Sequence, residues 1–379
     1  MPDTTIPLEC AQSSSGLLVA LELSVREWKI AAAPQADPSR PRVRGLSARD
    51  VSGLLDAIED AKRQFDLGPS SHVITCFEAG RDGLWLHRAL ASHGINNSVI
   101  DAGSIETPRR GPGAKTDRLD ARRLLRKLVR HLAGDRVWSV LCVPSEEEED
   151  DRRMHRELEQ IKEERLRLRN RAWAELALEG LRPSHLLSAL RNVEQLRRWD
   201  GRSLPRGMIA KLTRIRSALE LMNDQVAEIN KEQRQRRRSP ETEGDWRRAR
   251  LMLLRSVGEV TAEVLAKEFF WREFKNRRQV GAAAGLTGVP YASGDIARDR
   301  GLSKRGNERV RRIMIELAWL WLRYQPDSQL SRWYRARFAE GGRRARKVGI
   351  AALARKLLIA LWRYLQYGEV PAGAVLKAA

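Results

Sequence analysis

The residues of this chain best placed to do chemistry are two aspartates three positions apart, Asp117 and Asp120, in the segment KTDRLDA at 115–121. They open a stretch in which Leu125, Leu128, Val129 and Leu132 recur at helical spacing, so both carboxylates fall on one helix face, one turn apart. Carboxylates that close repel each other and call for a counter-charge, commonly a hard divalent cation held by oxygen ligands. The same pair could simply cap the helix and complement its dipole. Two acids upstream, Glu22 and Glu78, move the balance towards a metal centre.

Positioning those four acids requires a sheet. Glu22 nearly ends the apolar run GLLVALEL at 16–23, which continues into VREWKIAAA at 25–33 and reads as a β-hairpin connected at Ser24. Ser47 reads as the N-cap of a following helix. Glu78 ends HVITCFEA at 72–79, a run rich in β-formers with Gly80 and Gly83 behind it. NSVIDA at 97–102 is a further strand ahead of the aspartate pair. The order predicts an α/β domain with a mixed sheet. Such sheets place ligands at the carboxyl ends of their strands, where Glu22 and Glu78 would lie. The coincidence of three acidic sites points to a two-metal nuclease centre.

Charge indicates the substrate. With 70 Lys+Arg against 49 Asp+Glu, the formal net charge is +21, the footprint of a polyanion binder. The basic residues cluster in RLRLRNR at 165–171, RQRRR at 234–238, RRAR at 247–250, KRGNERVRR at 304–312 and RRARK at 343–347. Nucleic acid is favoured over an anionic membrane surface, because no basic amphipathic anchor stands apart from the core helices. Cys10, Cys76 and Cys142 are odd in number, widely spaced and without a CxxC or His cluster, which argues against a disulfide framework or zinc site. They are expected to be small buried residues in a reducing compartment. No run reaches the length of a membrane span, and a soluble, cytoplasmic protein is expected.

The chain changes character after Val143. Pro144 and SEEEEDD at 145–151 mark a boundary and an acidic helix start. Met154, Leu158, Ile161, Leu168 and Ala172 then form a coiled-coil-like seam, interrupted by Arg165. A second helix covers about 207–236, with Ile209, Leu212, Ile215, Leu219, Met222, Val226 and Ile229 on one face. The turn-rich WDGRSLPRG at 199–207 lies between them, and an antiparallel pair is expected, either a spacer or a dimer arm. RRRSPETEGD at 236–245 reads as a flexible loop. The organisation is therefore a domain at 1–143, a helical segment at 144–245 and a mostly helical domain at 246–379.

In the last domain, LLRSVGEVTAEVLAKEF at 253–269 places a Val-Gly turn between helical segments. It reads equally as a helix-hairpin-helix, whose turn amides could face a phosphate, or as a plain packing element. A small-residue helix, a Gly/Ser-rich loop and a basic helix follow at 276–324. Ser293, in YASGD, is flanked by Gly294 and by Arg298, Arg300, Lys304 and Arg305. A hydroxyl beside a flexible glycine and several cations suits attack on a phosphodiester, given a base or metal to activate it. Most loop serines are only turn formers. Ile313 to Leu322 and Ile350 to Leu365 read as core helices, their tryptophans as packing.

The ordered array FEAGRDGLWL, VIDAGSIETPRRGPGAKTDRLDA, SVGEVTAEVLAKEF and RQVGAAAGLTGVPYASGDIARDRGLSKRGNERVRR resembles the transposases of insertion sequence family 110 over nearly the whole chain. The resemblance implies a DEDD-type recombinase with an RNase H-like (RuvC-like) N-terminal domain, a coiled-coil segment and a C-terminal transposase domain. It implies Mg²⁺ or Mn²⁺ on the tetrad Glu22, Glu78, Asp117 and Asp120. It also implies a serine nucleophile, Ser293 matching best and Ser303 of LSKRGN next. Lys115, Arg298, Arg300, Lys304, Arg305 and Arg311 become nucleic-acid contacts. The implied partners are target and donor duplex DNA, a structured guide (bridge) RNA, and further copies of the chain, dimers joining into a tetramer at the bacterial nucleoid. One departure stands out. The family places Asp on the first strand, where this chain has Glu22, one methylene longer, a change that can exceed the roughly 0.5 Å tolerance of a productive site. A junction nuclease using water, or a catalytically impaired RNA- or DNA-binding relative, are the competing readings.

Overall fold

β1 (Leu17–Glu22) carries five consecutive buried apolar residues and then an acid. A strand with that pattern must be covered on both faces. The computed structural model, which describes residues 16–80, 83–105, 116–293, 296–303 and 305–377, shows it at the centre of a five-stranded sheet. The order is β3-β2-β1-β4-β5. β2 (Glu27–Pro34) runs antiparallel to β1 and β3 (Arg42–Ser47) antiparallel to β2, while on the other side β4 (Val73–Glu78) is parallel to β1 and β5 (Asn96–Ile100) parallel to β4. α1 (Val51–Gln64) and α2 (Trp85–Ser92) cover one face through Leu54, Ile58, Leu86 and Leu90, packed on Leu17, Val19 and Leu21. α3 (Asp117–Leu132) covers the other through Ala121, Leu124, Leu125 and Leu128, packed on Leu18, Ala20, Ile74 and Cys76.

The chain divides after Val143 into two compact units. The second opens with a capping box: Ser145 Oγ accepts from the Glu148 amide at 3.1 Å while the Glu148 carboxylate accepts from the Ser145 amide at 3.0 Å. This box starts the short helix α4 (Glu146–Asp150). α5 (Arg153–Leu178) and α7 (Arg206–Arg238) form an antiparallel arm, with α6 (Leu186–Arg191) in the connection. Leu158 packs with Val226 and Ile229, and Ala172 and Leu176 pack with Leu212 and Ile215, so the seam is filled within the chain.

α8 (Glu243–Met252) and α9 (Glu259–Val264) follow, and α9 runs into a π-helical turn at Leu265–Phe269. Then come α10 (Arg277–Ala283), the hairpin β6 (Gly288–Ser293) and β7 (Ile296–Leu302), α11 (Glu308–Tyr324), α12 (Gln329–Phe338) and α13 (Arg343–Tyr367). Their core gathers Leu265, Phe269, Met314, Trp321, Leu357 and Leu361. No helix among the described residues is long and apolar enough to cross a membrane.

Four expectations change. Ser47 closes β3 and the helix begins later, capped by Asp50, whose carboxylate accepts from the Gly53 amide at 2.8 Å. The segment at 236–245 is mostly helical: α7 continues to Arg238, and Thr242 caps α8. The loop expected around Ser293 is a β-hairpin. Pro290 lies within β6, which is possible because a two-stranded ribbon is all edge, and an edge tolerates a missing N–H. Cys76 is buried as expected, whereas Cys142 is exposed; Cys10 lies outside the described residues.

Candidate functional site

Parallel pairing of β1 and β4 sets Leu21 opposite Phe77, so the next residues, Glu22 and Glu78, end neighbouring strands at the same edge of the sheet. Side chains alternate along a strand. Glu22 follows Leu18 and Ala20, and Glu78 follows Ile74 and Cys76, which places both acids on the face that α3 covers. Glu22 is half-buried and Glu78 exposed. A strand end on a packed face is where a carboxylate can keep its solvation while its backbone is held rigid.

Asp117 and Asp120 occupy the first turn of α3. The cap is Thr116, whose hydroxyl accepts from the Leu119 amide at 3.3 Å, so capping does not account for Asp117. Both aspartates sit at the positive end of the helix dipole. Asp120 is half-buried and takes a hydrogen bond from Arg123 Nη1 at 3.1 Å. The structure thus brings Glu22 and Glu78 to adjacent strand ends, and Asp117 and Asp120 to one helix turn. Among the described residues, no group of three or more His, Cys, Asp or Glu side chains is gathered closely enough to hold a metal ion. The donor chemistry of the four, all hard carboxylate oxygens, suits Mg²⁺ or Mn²⁺.

Ser293 is the last residue of β6 and pairs with Ile296 of β7, which puts it at the tip of the hairpin. Arg298 and Arg300 lie on β7. Ser303 lies at the hairpin's base, where its amide donates to the Thr287 carbonyl at 2.8 Å and its Oγ accepts from the Arg305 amide at 3.2 Å. Arg305 is exposed. Lys115, Lys304 and Gly294 lie outside the described residues.

Two glycines seat the hairpin on the helices. Gly306, at φ +99°, approaches so closely that a Cβ there would lie 2.6 Å from the Ala283 carbonyl oxygen and 2.6 Å from the Gly285 nitrogen. Gly285, at φ +65°, would collide with the Arg305 carbonyl at 2.2 Å and with Arg311 Nη1 at 2.5 Å. Only glycine allows both the left-handed backbone and the contact. The same Arg311 Nη1 is buried and has no hydrogen-bond partner among the described residues.

The Val-Gly turn joins α8 to α9, with Ser256 at φ +101°. The C-terminal tail braces it. Arg255 N donates to the Val375 carbonyl at 3.1 Å, Lys377 N to Leu253 at 2.7 Å and Lys377 Nζ to Val257 at 2.9 Å. Gln325, buried, donates to both Arg255 and Val375 carbonyls.

Sequence reasoning missed a buried charge cluster where the arm meets this module. Lys267, in the π-turn and 4% exposed, lies 3.0 Å from Glu263, 3.2 Å from Asp245 and 3.4 Å from Asp151. Burial alone would lower its pKa, but the three carboxylates raise it above the ordinary lysine value. Its neighbour Glu268 is 2% exposed and accepts from His155 Nε2 at 2.9 Å. A Lys-Glu pair inside the apolar run EVLAKEFFW was the signal that could have exposed it.

Relationships with known proteins fit this picture. Residues 248–333 match the family model described as "Transposase IS116/IS110/IS902 family". The chain is 38% identical over 374 residues to a Sinorhizobium fredii (strain NBRC 101917 / NGR234) protein named "Putative transposase y4rJ", covering 95% of this chain and 94% of that one. It is 25% identical over 221 residues to the transposase for insertion sequence element IS1328 of Yersinia enterocolitica, 57% of this chain and 63% of the relative. This chain belongs to the IS110 family of transposases.

Proposed function

We propose that this transposase binds, cuts and rejoins DNA strands under the direction of a structured RNA. Its centre comprises the acids Glu22, Glu78, Asp117 and Asp120, with Ser293 as nucleophile. The observation that carries the reading is the pair of acids at neighbouring strand ends on the face covered by the helix that starts with the other two. The sheet, in which β1, β2 and β3 form an antiparallel meander and β4 and β5 extend it by parallel pairing, supports an RNase H-like fold. The net charge of +21 supports a nucleic-acid substrate, and the basic residues suit an RNA held through backbone and shape.

A divalent cation, when bound by these carboxylates, would neutralise charge developing on the scissile phosphate. The chain's own step is transesterification. The Ser293 hydroxyl gives up its proton, its Oγ bonds to phosphorus, and the bond from phosphorus to the departing sugar oxygen breaks, that oxygen taking a proton. No water is consumed, so the reverse step rejoins a strand. Glu22, in place of Asp, retains oxygen ligation while moving it outward by one methylene. Copies of the chain assemble as dimers that pair into a tetramer around two duplexes.

The test uses protein purified from cells that carry the flanking element DNA, with sequencing of the co-purified RNA and assay of strand cleavage in Mg²⁺. One element-derived RNA should be enriched, and Asp117→Asn should abolish cleavage while leaving nucleic-acid affinity nearly intact. Equal cleavage by the variant removes the metal assignment; only random cellular RNA removes guidance.

A further inference from the structure

β3 is the edge strand of the sheet, and among the described residues no strand pairs with its outer side. An open cleft of about 490 Å³ lies along that edge, between α1 and α3. Four arginines from two elements line it: Arg42 and Arg44 of β3, and Arg118 and Arg122 of α3. Asp60 is the single carboxylate in the lining, and it is already engaged by Arg44 at 2.8 Å and by Arg63. Arg42 spends one nitrogen on the neutral Gln64, at 2.9 Å. Among the described residues no carboxylate pairs with Arg118 or Arg122, and the Nε of Arg122 is buried without a hydrogen-bond partner.

Like charges gathered around one open cleft repel, so this arrangement is complementary to an anion that enters from solvent. Guanidinium groups present paired donors that match phosphate oxygens. The remaining lining is aliphatic or neutral, Ile30, Ala32, Ala57 and Ala61 among it, and holds no aromatic ring on which a base could stack. From this we infer that the β3 edge is a phosphodiester-backbone groove, positioning a nucleic-acid strand without reading its sequence.

The groove has a consequence for the site. Arg118 and Arg122 are one turn apart on α3, and Arg118 shares the first turn of that helix with Asp117 and Asp120. A strand held by these arginines passes the turn that bears two of the four acids. Arg118 and Arg122 are therefore positioning residues, and this role rests on the nucleic-acid reading of the preceding subsection.

The test measures affinity of the full-length protein for a short duplex DNA and a short RNA hairpin, each of arbitrary sequence, across a salt series. In the triple variant Arg42→Gln, Arg118→Gln, Arg122→Gln, the slope of log K against log salt should fall by about 1 for each phosphate that is no longer neutralised. Arg118→Gln alone, at an exposed position, should lower it by about 1 and keeps the test valid if the triple variant does not fold. A fall with one probe only identifies whether DNA or RNA occupies the groove. Unchanged slopes with both probes, in variants that retain the wild-type unfolding temperature, overturn the groove and leave the transposase reading intact. Failure of the wild type to bind either probe overturns both.

Discussion

Glu268 and Arg156 form a two-point ion pair, Arg156 donating from Nε at 2.6 Å and from Nη2 at 2.7 Å to the two oxygens of one carboxylate. The pair ties the first turn of the arm to the π-turn of the C-terminal module. Arg309 of α11 joins it at 3.4 Å and also reaches Glu159 of the arm at 2.5 Å. A π-turn inserts one extra residue into a helix. Here it accompanies two consecutive charged residues, Lys267 and Glu268, both buried against the arm.

Glu268→Gln should therefore destabilise the second unit. The variant keeps the size of the side chain but removes the charge that Arg156 and His155 face. The expected loss is about 2–3 kcal/mol, below the full value for a buried pair because the Arg156 side chain is 43% exposed. Chemical denaturation of wild type and variant measures it; a difference under about 0.5 kcal/mol, typical of surface substitutions, contradicts the assignment.

Acid should act through the same carboxyl. Burial alone would raise the Glu268 pKa, but hydrogen bonds from Arg156 and His155 hold it well below the usual carboxylate value of 4.5. A pKa lowered by folding gives stabilisation that is complete above the unfolded value and is lost as pH falls towards the folded one. The unfolding temperature should fall below about pH 4.5, and Glu268→Gln should make that fall shallower. Parallel wild-type and variant curves in acid would show that Glu268 carries none of the effect.

Gly306→Ala should cost about 2–3 kcal/mol, through left-handed strain together with the backbone collision at Ala283 and Gly285. Gly201→Ala is the control: its φ is +81° but nothing lies within 4 Å of the added carbon. Strain alone should cost it about 1 kcal/mol. Equal losses at the two positions would mean that the close approach of the loops around Gly285 and Gly306 contributes nothing.

The nucleophile can be assigned by covalent capture. Wild-type protein with labelled DNA and its RNA should give a protein–DNA adduct on a denaturing gel, removed by protease. Ser293→Ala should lose it and Ser303→Ala should keep it, since the Ser303 Oγ already accepts from the Arg305 amide beneath the hairpin. The opposite pattern transfers the role to Ser303. Cleavage without an adduct in the wild type indicates a hydrolytic nuclease.

Much of the framework follows from local sequence. A fully apolar run such as LLVAL must be a central strand, and Glu22 and Glu78 could be placed at strand ends because β-formers stop there. The arm was legible for the same reason: periodic Leu158, Leu212, Leu219 and Val226 define a helical face whatever covers it. These are signals of one element at a time.

What the sequence left open depends on partners distant along the chain. Strand β3, with alternating Arg42, Val43 and Arg44, is too polar to announce itself and exists because β2 offers it a ladder of hydrogen bonds. The hairpin carrying Ser293 reads as a Gly/Ser-rich loop, and its β6 contains Pro290, tolerated because among the described residues only β7 pairs with it. The burial of Lys267 and Glu268 depends on Asp151, Asp245, His155 and Arg156, which enclose them. Residue types and their periodicity determined which elements form and which side chains can do chemistry. Only tertiary structure decided which charges are buried and which arginines converge at the β3 edge, because those outcomes rest on contacts between residues separated by tens of positions along the chain.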